Sequence, residues 1–171
     1  RSDRDWSSDV CSSDLIKEKF TTSEWETLQF APLWVHTTVG LIDGKIDSKE
    51  TDILADELHK ASFWKNDLAR ELLNSVAENI DTVMQSYIDD PRGVREGISE
   101  VANILTQKVD PETAMGFKKA LFVIATYTAK ASGGWQGAKW TGTNISPEEK
   151  KAIQFICETL GVSESELDKD I

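Results

Sequence analysis

The chain has 171 residues, 30 acidic against 19 basic side chains, and a formal net charge of −11. That balance argues against nucleic acid, whose phosphates need cationic side chains, and against an anionic membrane surface. Cations and basic partners suit it better, and no apolar run approaches the ~20 residues of a membrane span.

Residues 1–15 stand apart from the rest. Asp5-Trp6-Ser7-Ser8-Asp9-Val10-Cys11-Ser12-Ser13-Asp14-Leu15 resembles a translated sequencing-library adaptor, and Arg1 to Arg4 fit the index region before it. The segment lacks the apolar core of a signal peptide and is set aside as non-native. The native start is therefore expected to be missing, so the lack of a targeting signal decides nothing. Residues 16–171 have the length of one domain with a real core. Cys157 is then the single cysteine, which precludes an internal disulfide and points to a reducing, cytoplasmic compartment.

Strand signals are nearly absent, and helix starts are clear. Ser23-x-x-Glu26 is expected to open a first helix running to about Asp43, with Phe30, Leu33, Trp34, Thr37, Thr38 and Leu41 on one broad face. Pro32 must kink that helix or mark its start. Asp47-x-x-Glu50 forms a capping box for a second helix carrying Ile53, Leu54, Leu58 and Ala61. Asn66 caps a third, in which Leu68, Leu72, Leu73, Val76, Ile80, Val83 and Tyr87 recur at helical steps. Asp90-Pro91, Asp110-Pro111 and Ser146-Pro147 each place a cap before a proline at the first helical position. The three helices that follow carry Val94, Ile98, Val101 and Leu105, then Phe117, Leu121, Ile124 and Thr128, then Ile153, Ile156 and Leu160. Gly161 stops the last of these, and Ser163-x-x-Glu166 starts a short terminal helix. The expected fold is an all-α, single-domain bundle of six to seven helices.

One turn occurs twice. Asp43-Gly44-Lys45-Ile46-Asp47-Ser48-Lys49-Glu50 follows an apolar helix, and Ser132-Gly133, then Ile145-Ser146-Pro147-Glu148-Glu149, repeat it in degraded form around an insertion. The chain thus reads as a duplicated helix–turn–helix, in which the helices of Leu33–Leu41 and Leu121–Ala129 are equivalent. Capping accounts for every residue of the first turn. Asp47 and Glu50 close a box, Gly44 supplies a left-handed C-cap, and Ile46 staples the corner. The alternative is that Asp43, Asp47 and Glu50 converge on a divalent cation, with Ca²⁺ the expected ion. Such an ion wants six to eight oxygens, and Lys45 and Lys49 would weaken the site. An EF-hand is excluded, because its glycine and glutamate positions counted from Asp43 hold Ser48 and Leu54.

Asp-Gly-Lys-Ile-Asp-x-x-Glu between two apolar helices, the second ending in x-x-Leu-Gly, resembles the TerB-like tellurite-resistance family. The likeness spans most of Ser23 to Val162, in pattern only between Asn66 and Val109. It implies an all-helical domain over residues 16–171 with an internal duplication, in a non-enzymatic stress-response protein that binds metal through acidic residues. Carried over, those residues are Asp43, Asp47 and Glu50, with Glu149 from the second copy. Ser132 and Ser146 replace the aspartates of the second turn, so a symmetric two-loop metal site is not expected.

The insertion from Ser132 to Asn144 holds four glycines with Trp135 and Trp140. Either the tryptophans fold back over the bundle, or the loop is a tip that contacts a protein partner. His36 and His59 have no cysteine or histidine at zinc-ligand spacing, and Cys157 reads as a small buried hydrophobe. No nucleophile–base pair can be named, so no enzymatic role is expected.

Overall fold

The computed structural model describes residues 12–40, 52, 54–56, 58–59, 65–132 and 145–167. Among them every regular element is helical and none is a strand, as expected for an all-α domain. The order begins with α1 (Ser12–Lys17), α2 (Thr22–Gly40) and α3, the helical residues 52, 54–56 and 58–59. It continues with α4 (Asp67–Glu78), α5 (Ile80–Asp89) and α6 (Val94–Lys108). Last come α7 (Pro111–Ser132), α8 (Pro147–Leu160) and α9 (Glu164–Leu167).

The bundle is built around α2. Its capping box is Thr21-x-x-Glu24, two residues before the expected Ser23-x-x-Glu26. Thr21 donates its N–H to Glu24 Oε2 at 2.8 Å, and Thr21 Oγ1 accepts from the Glu24 N–H at 3.2 Å. The earlier start brings Trp25 into the first turns and lets Lys108 of α6 sit 3.3 Å from Glu24. The sequence offers both boxes, and tertiary contact selects between them. Pro32 neither starts the helix nor ends it. It lies buried inside α2, and its missing N–H withdraws the helical donor from the Leu28 carbonyl.

The single apolar face expected for this helix is replaced by burial on all sides. Thr27, Leu28, Phe30, Ala31, Leu33, Trp34, Val35, His36 and Val39 are all buried, because α4, α5, α6, α7 and α8 surround the helix. Each fully buried large apolar side chain contributes about 1.5–3 kcal/mol. α6 comes close to α2 at Gly97, where a Cβ would lie 2.3 Å from the Trp34 ring. Only a residue without a side chain fits there.

Two further boundaries depart from expectation. The helix expected from Asn66 through Tyr87 breaks at Asn79 into α4 and α5. Asn79 Nδ2 donates to the Ser75 carbonyl at 3.0 Å, and its N–H turns to the Val76 carbonyl at 3.2 Å. Asparagine competes with the helix for backbone partners in this way. α6 begins at Val94 rather than Pro91, and residues 90–93 stay outside the helix because Asp90 binds Arg92. The other starts fall as expected. Asn66 Oδ1 accepts from the Ala69 N–H at 2.9 Å, and Asp110 Oδ2 accepts from the Thr113 N–H at 3.0 Å. Gly161 ends α8 at φ +73°, and Ser163 donates its N–H to Glu166 Oε2 at 3.1 Å where α9 begins.

α2 packs along α7, the other long helix and its expected counterpart in the duplication. The second-copy turn is described at its two ends, Ser132 and Ile145 onward, whereas the first-copy turn (41–51) lies outside the described residues. α1 starts inside the segment set aside as non-native and packs against α4. Within that segment Leu15 is exposed, while the next residue, Ile16, packs on the core. Among the described residues no helix is long and apolar enough to cross a membrane.

Candidate functional site

Of the four carboxylates proposed as metal ligands, Glu149 is among the described residues; Asp43, Asp47 and Glu50 are outside them. Pro147 at the first helical position presets the backbone of α8, and Ser146 stands before it in extended conformation. Glu149 Oε2 accepts the Ser146 N–H at 2.9 Å, and Ser146 Oγ accepts the Glu149 N–H at 3.2 Å. Both donors would otherwise be unsatisfied at a helix start. The side chain is 7% exposed, so this carboxylate is held under the surface by its own helix. A cation at Glu149 would have to compete with the cap for Oε2. Among the described residues no group of three or more histidines, cysteines, aspartates or glutamates could hold a metal ion. The tryptophans proposed for the partner loop, Trp135 and Trp140, also lie outside the described residues.

His36 and Cys157 are both buried, as the sequence context suggests for Cys157. His36 Nδ1 lies 3.1 Å from Thr128 Oγ1, which donates to the Ile124 carbonyl at 2.8 Å. With the threonine proton committed there, the imidazole donates from Nδ1. Burial holds the His36 pKa below its ordinary value, so the ring is neutral at neutral pH. Burial, with Glu164 and Glu158 nearby, pushes the Cys157 thiol up to about 12. It carries no thiolate and no nucleophile.

Arg92 forms a clamp that the sequence did not reveal. Its guanidinium donates to Asp90 Oδ2 at 2.6 Å, to Glu100 Oε2 at 2.6 Å and to Thr27 Oγ1 at 3.0 Å. It also lies 5.3 Å from the Trp34 ring centroid. Hydrogen bonding from Arg92 holds the Asp90 carboxyl below the usual range. The α5–α6 link is thereby tied to α2. Asp90-Pro91 has the pattern of a cap and a first helical residue, which hides this role. Gly97 inside a helical pattern is the available sign of a close approach at α6.

A groove of about 350 Å³ opens between the α1–α2 corner and α5. Phe20, Trp25, Phe30 and Val83 give it apolar walls, and Thr82 and Ser86 add hydroxyls from α5. No motif marks it, because its residues come from two separated stretches.

No protein-family model matches the chain, and no solved structure matches it. It is 30% identical over 146 residues to a protein of Methanothermobacter thermautotrophicus named uncharacterized protein ORF11'. That similarity covers 82% of this chain and 89% of the relative. The chain belongs to the same family as ORF11'.

Proposed function

We propose that this chain is a non-enzymatic helical interaction module, TerB-like and serving a stress response, in which the acidic residues of the turns cap helices. One observation carries the capping part. The Glu149 carboxylate closes a buried box with Ser146. If Asp47-x-x-Glu50 is the first copy of Ser146-x-x-Glu149, the same chemistry serves there. Recognition would then fall to the Trp135–Trp140 loop. On α7, which ends at Ser132, Tyr127 is a large side chain that is 47% exposed. Aromatic residues of this kind anchor protein interfaces, and the net charge of −11 favours a basic partner over nucleic acid. A buried, free Cys157 suits a reducing cytoplasm.

Calorimetric titration with Ca²⁺, Mg²⁺, Mn²⁺ and Zn²⁺ tests this reading. No saturable heat is expected from any of the four. Saturable heat that Asp43→Asn abolishes would overturn it in favour of a cation site at the first turn. For the loop, Trp135→Ala and Trp140→Ala should leave the denaturation midpoint unchanged. A clear drop would mean that the tryptophans cover the bundle instead of meeting a partner.

A further inference from the structure

Ile88, on α5, is 66% exposed, more than any other large apolar side chain among the described residues. It stands at the end of a ridge. Ile80, Met84 and Ile88 follow one another at four-residue steps, so they line one flank of the helix over about two turns. Ile80 and Met84 are only partly buried against the core, and Val83 is the buried residue of α5. Thr82 and Ser86, on the other flank, line the groove beside the α1–α2 corner, so the ridge belongs to a different surface.

Charge beside the ridge is of one sign. Asp81, Gln85 and Asp89 each follow a ridge position by one residue, and this bordering row is exposed. Gln85 donates to Asp89 Oδ2 at 3.2 Å. Among the described residues no cation pairs with Asp81 or Asp89. Between Arg70 and Arg92 the chain has no lysine or arginine, and neither has α2, which packs on α5. A second copy would set this acidic row against its own equivalent, and a nucleic acid or an anionic membrane would meet like charge. A ridge at four-residue steps fits the grooves of another helix, and the methionine in its middle adapts to the shape it meets. We infer that the Ile80–Met84–Ile88 ridge docks a basic amphipathic helix of another protein, whose apolar stripe covers the ridge while its lysines or arginines meet Asp81 and Asp89. The inference does not depend on the Trp135–Trp140 loop.

The test uses the full chain and a fluorescein-labelled peptide, acetyl-LKKLLKLLKKLLKL-amide, with leucine and lysine at amphipathic-helix spacing. Fluorescence anisotropy should show saturable binding, and the same peptide with glutamate for every lysine should not bind. Ile88→Gln changes an exposed position and keeps helix propensity, so it should fold as wild type and weaken binding roughly tenfold. Asp81→Asn with Asp89→Asn should weaken binding by a similar factor and flatten its salt dependence. Glu112→Gln with Glu148→Gln removes the same charge from exposed sites on α7 and α8 and should leave binding unchanged. No saturable binding, undiminished binding by Ile88→Gln, or equal weakening by the two charge variants would each overturn the proposal. Loss of binding in Trp135→Ala with Trp140→Ala would assign the peptide to the loop and overturn it too. So would a concentration-dependent dimer that Ile88→Gln dissociates, which would give the ridge to a second copy.

Discussion

α2 and α8 are both helices of the core, yet they solve opposite problems. α8 turns Ile153, Ile156, Cys157 and Leu160 inward and keeps Lys150, Lys151, Gln154 and Glu158 in water. The polar side chains on that outer face are open to water. α2 is enclosed by the other helices, so the polar groups it carries inward are matched from elsewhere in the bundle. Thr27 is met by Arg92, His36 by Thr128 of α7, and Thr37 by the Tyr87 hydroxyl of α5 at 2.9 Å. Trp25 Nε1 is left unmatched. A surface helix therefore rests on burial of one stripe, whereas the central helix rests on burial and on polar pairing together.

Substitutions can break this contrast. The largest effect is expected at Trp34, fully buried on α2 and packed edge-on against Phe30 with ring centroids 5.6 Å apart. Trp34→Ala should cost about 3–5 kcal/mol in denaturant unfolding, whereas Gln154→Ala on the wet face of α8 should stay within about 0.5 kcal/mol. Equal losses at the two sites would show that α2 is not the centre of the core. Next is Gly97→Ala, whose new methyl meets the Trp34 ring at 2.3 Å. Overpacking there should cost about 1–3 kcal/mol, although alanine is intrinsically the better helix former. A gain in stability would mean that α6 can move away from α2 freely.

A smaller effect concerns pH. Because burial depresses the His36 pKa, the unfolded chain takes up a proton below about pH 6.5 that the native chain refuses. Its contribution is complete above that value and is lost as the pH falls through the native pKa. His36→Gln should flatten this part of the stability profile, above the range where carboxylates titrate. An unchanged slope would mean that His36 is charged in the native state.

The same contrast explains which features are legible in the sequence. Helices with one wet face announce themselves by three- and four-residue steps, so the stripes of α4, α6, α7 and α8 can be read from residue order alone. So can the caps at Asn66, Asp110, Ser146 and Ser163, each a local bond between near neighbours. The enclosed α2 has no such period, and its start is expected two residues late because Thr21 and Ser23 both offer a box. The break at Asn79 and the extended turn at Asp90 escape because they depend on which local bond wins. The Arg92 clamp and the Trp25 groove join residues tens of positions apart, and no short motif encodes that. For the candidate site, Ser146-x-x-Glu149 repeats the spacing of the Asp47-x-x-Glu50 box, and the structure adds the two bonds and the burial of Glu149.

The central claim is that this carboxylate closes a helix cap. Denaturant unfolding of wild type, Glu149→Gln and Glu149→Ala, each with and without Ca²⁺, tests it most directly. A capping box accepts either glutamate or glutamine, so Glu149→Gln should retain most of the stability that Glu149→Ala loses, about 0.5–2 kcal/mol. Ca²⁺ should change none of the three midpoints. The opposite result would be a wild-type midpoint raised by Ca²⁺, as ligand binding to the native state requires, with Glu149→Gln and Glu149→Ala both losing that rise. Such a pattern would make Glu149 a cation ligand and contradict the account.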